Sequence, residues 1–355
     1  MSANTDFVGT TAVREAHRFD EAALANWMSA NVAGYAGPLT VAQFKGGQSN
    51  PTYKLHTPNR DYVLRRKPPG ALLAGAHAVE REARVQQALG ARGFPVARVH
   101  GLCTDDAVIG TWFYVMDCVE GRIFWDVTLP EIDRAARPAY FNAMVGTIAQ
   151  LHAIDVQAAG LADYGKPGNY FQRQIGRWSK QYLGDLEAAG RDEHMDRLIE
   201  WLPAHIPPGD ETSVVHGDFR IDNMIFHPTE PRVLAVLDWE LSTLGHPLAD
   251  FAYHLMMYRL PKMHLASLAG VDLAALNLPS ESAYVAEYCR RTGRDGIAHL
   301  DFYLAFNMFR LAAIFHGIKA RVVRGTAASA RAQETVRALP EVARYGWAQT
   351  RGTAV

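Results

Sequence analysis

The sequence predicts an α+β fold in two lobes, a small strand-rich one followed by a larger helical one, on three observations. The chain has 355 residues, and single cores stop growing at roughly 250–300 residues. From Val41 to Glu120 the hydrophobic pattern is mostly strand-like. After Gly121 apolar residues recur at steps of three and four, the period of helices.

In chain order, VAQFKGG, NPTYKLHT and DYVLRRKP read as strands, followed by a later pair, FPVARVHGLC and TWFYVMDCVEG. One helix interrupts them: AHAVEREARVQQALGARG puts Val79, Ala83 and Leu89 on one side with charges opposite, and Gly90 and Gly93 as stop signals. The lobe boundary falls near Val119 to Arg122. In the second lobe PEIDRAARPAYFNAMVGTIAQLHAID, YFQRQIGRWSKQYLGDL and RDEHMDRLIEWLPAHI carry helical patterns. Its strand signals are SVVHG, NMIFHP and VLAVLDW.

Composition narrows the class. A hydrophobic share of 48% with 21% charged residues is that of a folded chain. The formal charge of −1 gives no global field for nucleic acid or an anionic membrane. Cys103, Cys118 and Cys289 are odd in number and outside metal-binding spacings, which points to reduced thiols and a cytoplasmic protein. The first residues lack the pattern of a secretion signal, and no stretch is long and apolar enough for membrane insertion.

The informative stretch is VVHGDFRIDNMIFHP, followed by LDWE. Phosphoryl transfer needs a carboxylate to orient the acceptor hydroxyl, a cation for the migrating phosphate, and oxygen ligands for Mg²⁺. Mg²⁺ takes one or two protein oxygens beside phosphates and waters. Asp218, Arg220 and Asn223 supply all but the second metal ligand, and Asp238, at the end of an apolar strand, supplies that.

With these residues the chain resembles the aminoglycoside phosphotransferase-like, or kinase-like, superfamily. HGDFRIDNMIF is similar to the family's HxDxxxxN catalytic loop, and LDWE to its second-metal aspartate. The resemblance implies a two-lobed protein-kinase-like fold with an antiparallel-sheet nucleotide-binding lobe over residues 1–119. Residues 120–355 would form a helical lobe carrying the catalytic loop, metal site and acceptor site. It implies ATP as co-substrate and Mg²⁺ as cofactor, with Asp218 and Arg220 catalytic, Asn223 and Asp238 on the metal, and His216 and Asp250 as structural support. FKGGQSNPTYKL resembles the hairpin over the phosphates, with Gly46, Gly47, Ser49 and Asn50 facing them. Arg65 stands where kinases carry a lysine, and a guanidinium holds its charge and grips oxygens in a fork. Its partner is expected to be Glu82, with Glu80 second, while Arg66 and Lys67 face solvent. Asp117 and Val119 would read the adenine edge from the hinge.

The acceptor is read from charge. From Phe251 to Val355 thirteen bases stand against seven acids, a surface that repels polycationic aminoglycosides and suits an anionic or amphiphilic hydroxyl compound. The Met-rich run AYHLMMYRLPKMHL offers an apolar wall or simply helix core. YVLRRKPPG, VEREARVQQAL, LHAID and LDWELSTLGHPLADFAY resemble the phosphotransferase domain found beside acyl-CoA dehydrogenases, as in members ten and eleven of that family. That likeness implies a hydroxyacyl-CoA acceptor and association with such a dehydrogenase. The alternatives are an aminoglycoside or other small-alcohol kinase, and a nucleotide-binding pseudokinase, which the arginine at position 65 keeps open. GHPLADFAY follows Asp238 too closely to leave room for a protein kinase's peptide platform.

Overall fold

The computed structural model describes residues 9–45, 50–68, 77–261, 267–326 and 330–352. Gly46, Gly47 and Ser49 of the phosphate hairpin lie outside them. The chain forms two compact units that interleave in sequence. One holds residues 1–123, 156–162 and 222–242, the other residues 124–155, 163–221 and 243–355.

The first unit is built on an antiparallel sheet of β1 (Thr10–Thr11), β2 (Thr40–Phe44), β3 (Thr52–His56), β4 (Asp61–Arg66), β5 (Val99–Cys103) and β6 (Phe113–Asp117). The strand order is β1-β2-β3-β4-β6-β5. Alternation along β4 assigns its side chains to two apolar clusters. Tyr62 and Leu64 pack with Leu24 and Met28 of helix α1 (Glu21–Asn31), while Val63 packs with Val79 and Ala83 of α2 (Val79–Gly90). The α2 pattern and the five longer strands were legible in the sequence. Helix α1 is an addition: EAALANWMSAN has no clean apolar stripe, and its start is fixed by Asp20, which accepts from the Ala22 and Ala23 amides at 2.9 Å.

Arg66, expected at the surface, is instead 2% exposed. It lies on the α1 side of β4, with its guanidinium over the rings of Phe19 and Tyr53 at 5.2 and 5.7 Å. Cation–π contact makes this burial tolerable. The short α3 (Asp106–Ile109) completes the edge of the unit.

The second unit is mostly helical: α4 (Arg137–His152), α5 (Tyr170–Gly184), α6 (Leu186–Ala189), α7 (Glu193–Ala204), α8 (Pro247–Arg259), α9 (Glu281–Thr292), α10 (Leu300–Val323) and α11 (Ala330–Gln349). Helix α10 is its axis and packs against α5, α7, α8 and α11. Strand β7 (Ser213–Val215) belongs to this unit and pairs with β10 (Thr243–Gly245). Between them in sequence, β8 (Met224–Phe226) and β9 (Val233–Val236) form a hairpin of the first unit. The Val236 amide donates to Pro95 O at 2.9 Å, and Trp239 meets the Phe94 ring edge-on. Among the described residues no helix is long and apolar enough to cross a membrane.

His246 caps α8 by accepting from the Leu248 amide at 3.2 Å, and it is buried against Tyr303. Burial, reinforced by Arg294 and His152 against the pull of Glu211, lowers its pKa from 6.5 to about 4. A histidine held neutral contributes stability that is complete above 6.5 and lost as pH falls toward 4, up to about 3 kcal/mol. His246→Asn keeps a capping acceptor. Its melting temperature is therefore expected to fall less than that of the wild type over this pH range. Equal losses in the two proteins would show that another group titrates.

Candidate active site

In the first unit, the hairpin explains how residues fifteen positions apart in LDWE and HGDFRIDN become neighbours. Asn223 directly precedes β8, Asp238 follows β9 after Leu237, and the Leu237 amide donates to Asn223 O at 2.8 Å. Both side chains line one cavity of about 350 Å³, together with Arg65, Glu82 and Asp117 through Val119. Asp238 has φ +65°, a left-handed conformation that few residues other than glycine adopt and aspartate tolerates. Such local strain persists where surrounding contacts impose it, often at functional sites.

Arg65, on the α2 side of β4, gathers the carboxylates of this unit. Its Nε lies 2.7 Å from Glu82 Oε2, and its Nη2 lies 2.8 Å from Asp238 Oδ1 and 3.4 Å from Glu240 Oε2. Glu80 instead pairs with Lys67 at 3.0 Å. Burial pushes Glu82 up to about 7, against the pull of Arg65 and with a further push from Asp238. Burial works against the Arg65 charge as well, yet Glu82 and the other anions raise its pKa and keep it a cation. Glu82 also accepts from Asn50 Nδ2 at 2.8 Å and from the Tyr114 hydroxyl at 3.2 Å. The Asn50 side chain is fully buried and its Oδ1 meets His77 Nδ1 at 2.9 Å, so its amide is engaged inside the unit.

Asp117 ends β6, where its amide donates to Arg98 O and its carboxylate takes His100 at 2.7 Å and Arg60. Val119 is the cavity-lining residue two positions on. Mg²⁺ prefers one or two protein oxygens completed by phosphates and water. An amide from Asn223 and a carboxylate from Asp238 on one cavity fit that requirement, and among the described residues no group of three or more His, Cys, Asp or Glu forms a protein-only cage.

In the second unit, β7 runs into a loop from His216 to Ile221 whose backbone is tied on several sides. Gly217 has φ +83°, which only glycine adopts without strain. Asp250 of α8 accepts the His216 amide at 2.7 Å and the Gly217 amide at 2.8 Å, while His152 Nε2 lies 3.3 Å away. Burial alone would raise the Asp250 pKa, but His152 and the His216 backbone bring it below the usual value. The buried His216 ring accepts the Asp218 amide at 3.2 Å. Arg310 of α10 donates to Gly217 O at 2.9 Å, and His254 Nδ1 meets Phe219 O at 3.0 Å.

The Asp218 side chain is thereby presented on a fixed backbone. Its Oδ1 lies 3.2 Å from Arg220 Nε and accepts from the Tyr253 hydroxyl. Tyr253, His254, His152 and Arg310 are residues of this site that the motifs did not reveal. A signal existed for two of them, since Asp250, Tyr253 and His254 stand at i, i+3 and i+4 on one face of α8.

Comparisons with known proteins give the family and the fold. A family model described as phosphotransferase enzyme family matches residues 40–295. The chain is 44% identical over 313 residues to acyl-CoA dehydrogenase family member 10 of Mus musculus, covering 88% of this chain and 29% of that protein. It is 44% identical over 347 residues to family member 11 of Gallus gallus, covering 95% of this chain and 44% of the relative. It thus spans less than half the length of these relatives. A crystal structure described as a candidate aminoglycoside phosphotransferase of Ralstonia eutropha superposes with a TM-score of 0.88 at 51% identity, over 94% of this chain and 99% of the other. A choline kinase of Cryptosporidium parvum shares the fold at a TM-score of 0.61 and 10% identity, over 94% of this chain and 99% of its own.

Proposed function

Since the chain belongs to the phosphotransferase enzyme family, we propose that it transfers the γ-phosphoryl group of ATP to the hydroxyl of a hydroxyacyl-CoA or related hydroxy acid, in the cytoplasm. The observation that carries the kinase reading is the hairpin that sets Asn223 beside Asp238 on the cavity lined by Arg65. In this reading Asn223 and Asp238 hold Mg²⁺, which when bound neutralises phosphate charge. Arg65, held by Glu82, steadies the phosphates, as do Gly46, Gly47 and Ser49, while Asn50 braces Glu82 from inside the unit and Asp117 and Val119 border the adenine. Asp218 orients the acceptor hydroxyl and takes its proton, Arg220 meets the migrating group, and His216 and Asp250 fix the loop.

Two observations support the acceptor class. Bases outnumber acids by thirteen to seven from Phe251 onward, which favours an anion such as a CoA thioester. The relatives named acyl-CoA dehydrogenase family members 10 and 11 place a homologous segment within a longer chain, and from this we infer a functional association with a dehydrogenase of that type. Beside Arg220 and Tyr253, Val127, Met256 and Met257 line a cavity of about 30 Å³. That is too small for an acyl chain without movement of the adaptable methionines.

A second reading, an aminoglycoside or other small-alcohol acceptor, is favoured by the description of the Ralstonia structure. Incubation with Mg-ATP and a panel of hydroxyacyl-CoA thioesters, free hydroxy acids, choline-like alcohols and aminoglycosides decides between them by a mass gain of one phosphoryl group. No transfer to any acceptor despite Mg-ATP binding would leave a pseudokinase.

Binding has its own expected result. Mg-ATP at 100 times its Kd should stabilise the protein by roughly 2.7 kcal/mol. The Asp238→Asn variant should lose the Mg²⁺-dependent part of that shift in a thermal melt. A variant that responds to Mg-ATP as the wild type does would remove Asp238 from the metal site.

A further inference from the structure

We propose that Tyr253 is a positioning residue for the Asp218 carboxylate, an assignment that rests on the reading of Asp218 as the hydroxyl-orienting group. The phenol donates to Asp218 Oδ1 at 2.5 Å, on the oxygen that also faces Arg220. The terminal torsion of an aspartate is broad and nearly two-fold. A donor fixed on one oxygen selects one setting of the carboxyl plane.

Tyr253 is itself fixed. It stands three residues after Asp250 on α8, so one helix face holds both the backbone of the loop, at His216 and Gly217, and the side chain of Asp218. The Arg310 guanidinium lies 5.4 Å from the centre of the Tyr253 ring while donating to Gly217 O. Burial first, and then the neighbouring Asp218, raise the phenol's pKa, so the hydroxyl keeps its proton and remains a donor. Pre-set orientation acts on the chemical step, so its loss should appear in kcat and leave nucleotide binding alone.

The test uses Mg-ATP with water as acceptor, so that slow phosphate release reports transfer whatever hydroxyl the protein takes. Tyr253→Phe is expected to lower kcat roughly tenfold, the effect of one charge-assisted hydrogen bond, with the KM for ATP unchanged and the melting temperature lowered by no more than the loss of that one bond. Added to Asp218→Asn it should lower the rate no further, because residues acting through one carboxyl are not additive. A Tyr253→Phe rate equal to the wild type, or losses that multiply in the double variant, overturns the positioning role and leaves the reading of Asp218 standing. Asp218→Asn at the wild-type rate overturns both.

A second measurement needs no turnover. In protein labelled with ¹³Cζ-tyrosine, the Tyr253 signal, identified by its loss in Tyr253→Phe, should move in Asp218→Ala, which removes the acceptor, and stay in place in Asp272→Asn, a change at an exposed position. A signal indifferent to Asp218 overturns the contact itself.

Discussion

Asp218→Asn is expected to lose about 10²–10⁴-fold of turnover, the usual contribution of a general base, while keeping its fold and its affinity for Mg-ATP. The substitution is nearly isosteric. The amide oxygen of asparagine still accepts from Tyr253, and the Asp218 backbone amide still donates to the His216 ring. What disappears is the negative charge facing Arg220 and the ability to take a proton from the acceptor hydroxyl. The Mg-ATP groups proposed above, Arg65, Asn223 and Asp238, belong to the other unit and are untouched. Rates on the phosphorylated panel compound, beside a nucleotide titration, check both halves. A variant as fast as the wild type would remove Asp218 from the chemistry.

The largest stability effect is expected at Asp250. Asp250→Asn replaces a carboxylate that accepts from two backbone amides with a group that has one acceptor oxygen and a donor. Either the His216 or the Gly217 N–H then faces an NH₂ group in a buried place, and His152 loses its anion. Removing one partner from a buried charged network costs about 3–5 kcal/mol. Chemical denaturation should show that loss, and turnover should fall with it because the loop carrying Asp218 is no longer tied. A loss under about 1 kcal/mol, the size of an ordinary hydrogen bond, would show that the loop holds its shape by other contacts.

The sequence made visible those features whose cause is local. Strand alternation in TYKLH, the apolar side of α2, and the spacing of polar residues inside HGDFRIDN and LDWE each follow from patterns within a few residues. Glu82 emerged as the partner of Arg65 because helix periodicity directs it toward the sheet beside Val79 and Ala83. The burial of Arg66 was hidden because the rings that receive it, Phe19 and Tyr53, lie far from it in sequence. Likewise the clamp on the loop from His216 to Ile221 draws on α4, α8 and α10 at once. No local pattern links Arg310 to Gly217, ninety-three residues before it. The inward turn of Asn50 depends on its meeting with Glu82 across thirty-two positions.

The β8–β9 hairpin has a practical consequence. Its two candidate metal-binding side chains stand at the open end, where one backbone hydrogen bond sets their spacing, whereas residues 228–232 at the closed end are exposed. Lengthening or decorating that tip leaves the strand pairing intact, since surface turns tolerate insertion well. A fluorophore grafted between Thr229 and Pro231 would therefore ride on the same hairpin as the candidate metal donors, a natural mounting point for an optical sensor of nucleotide occupancy.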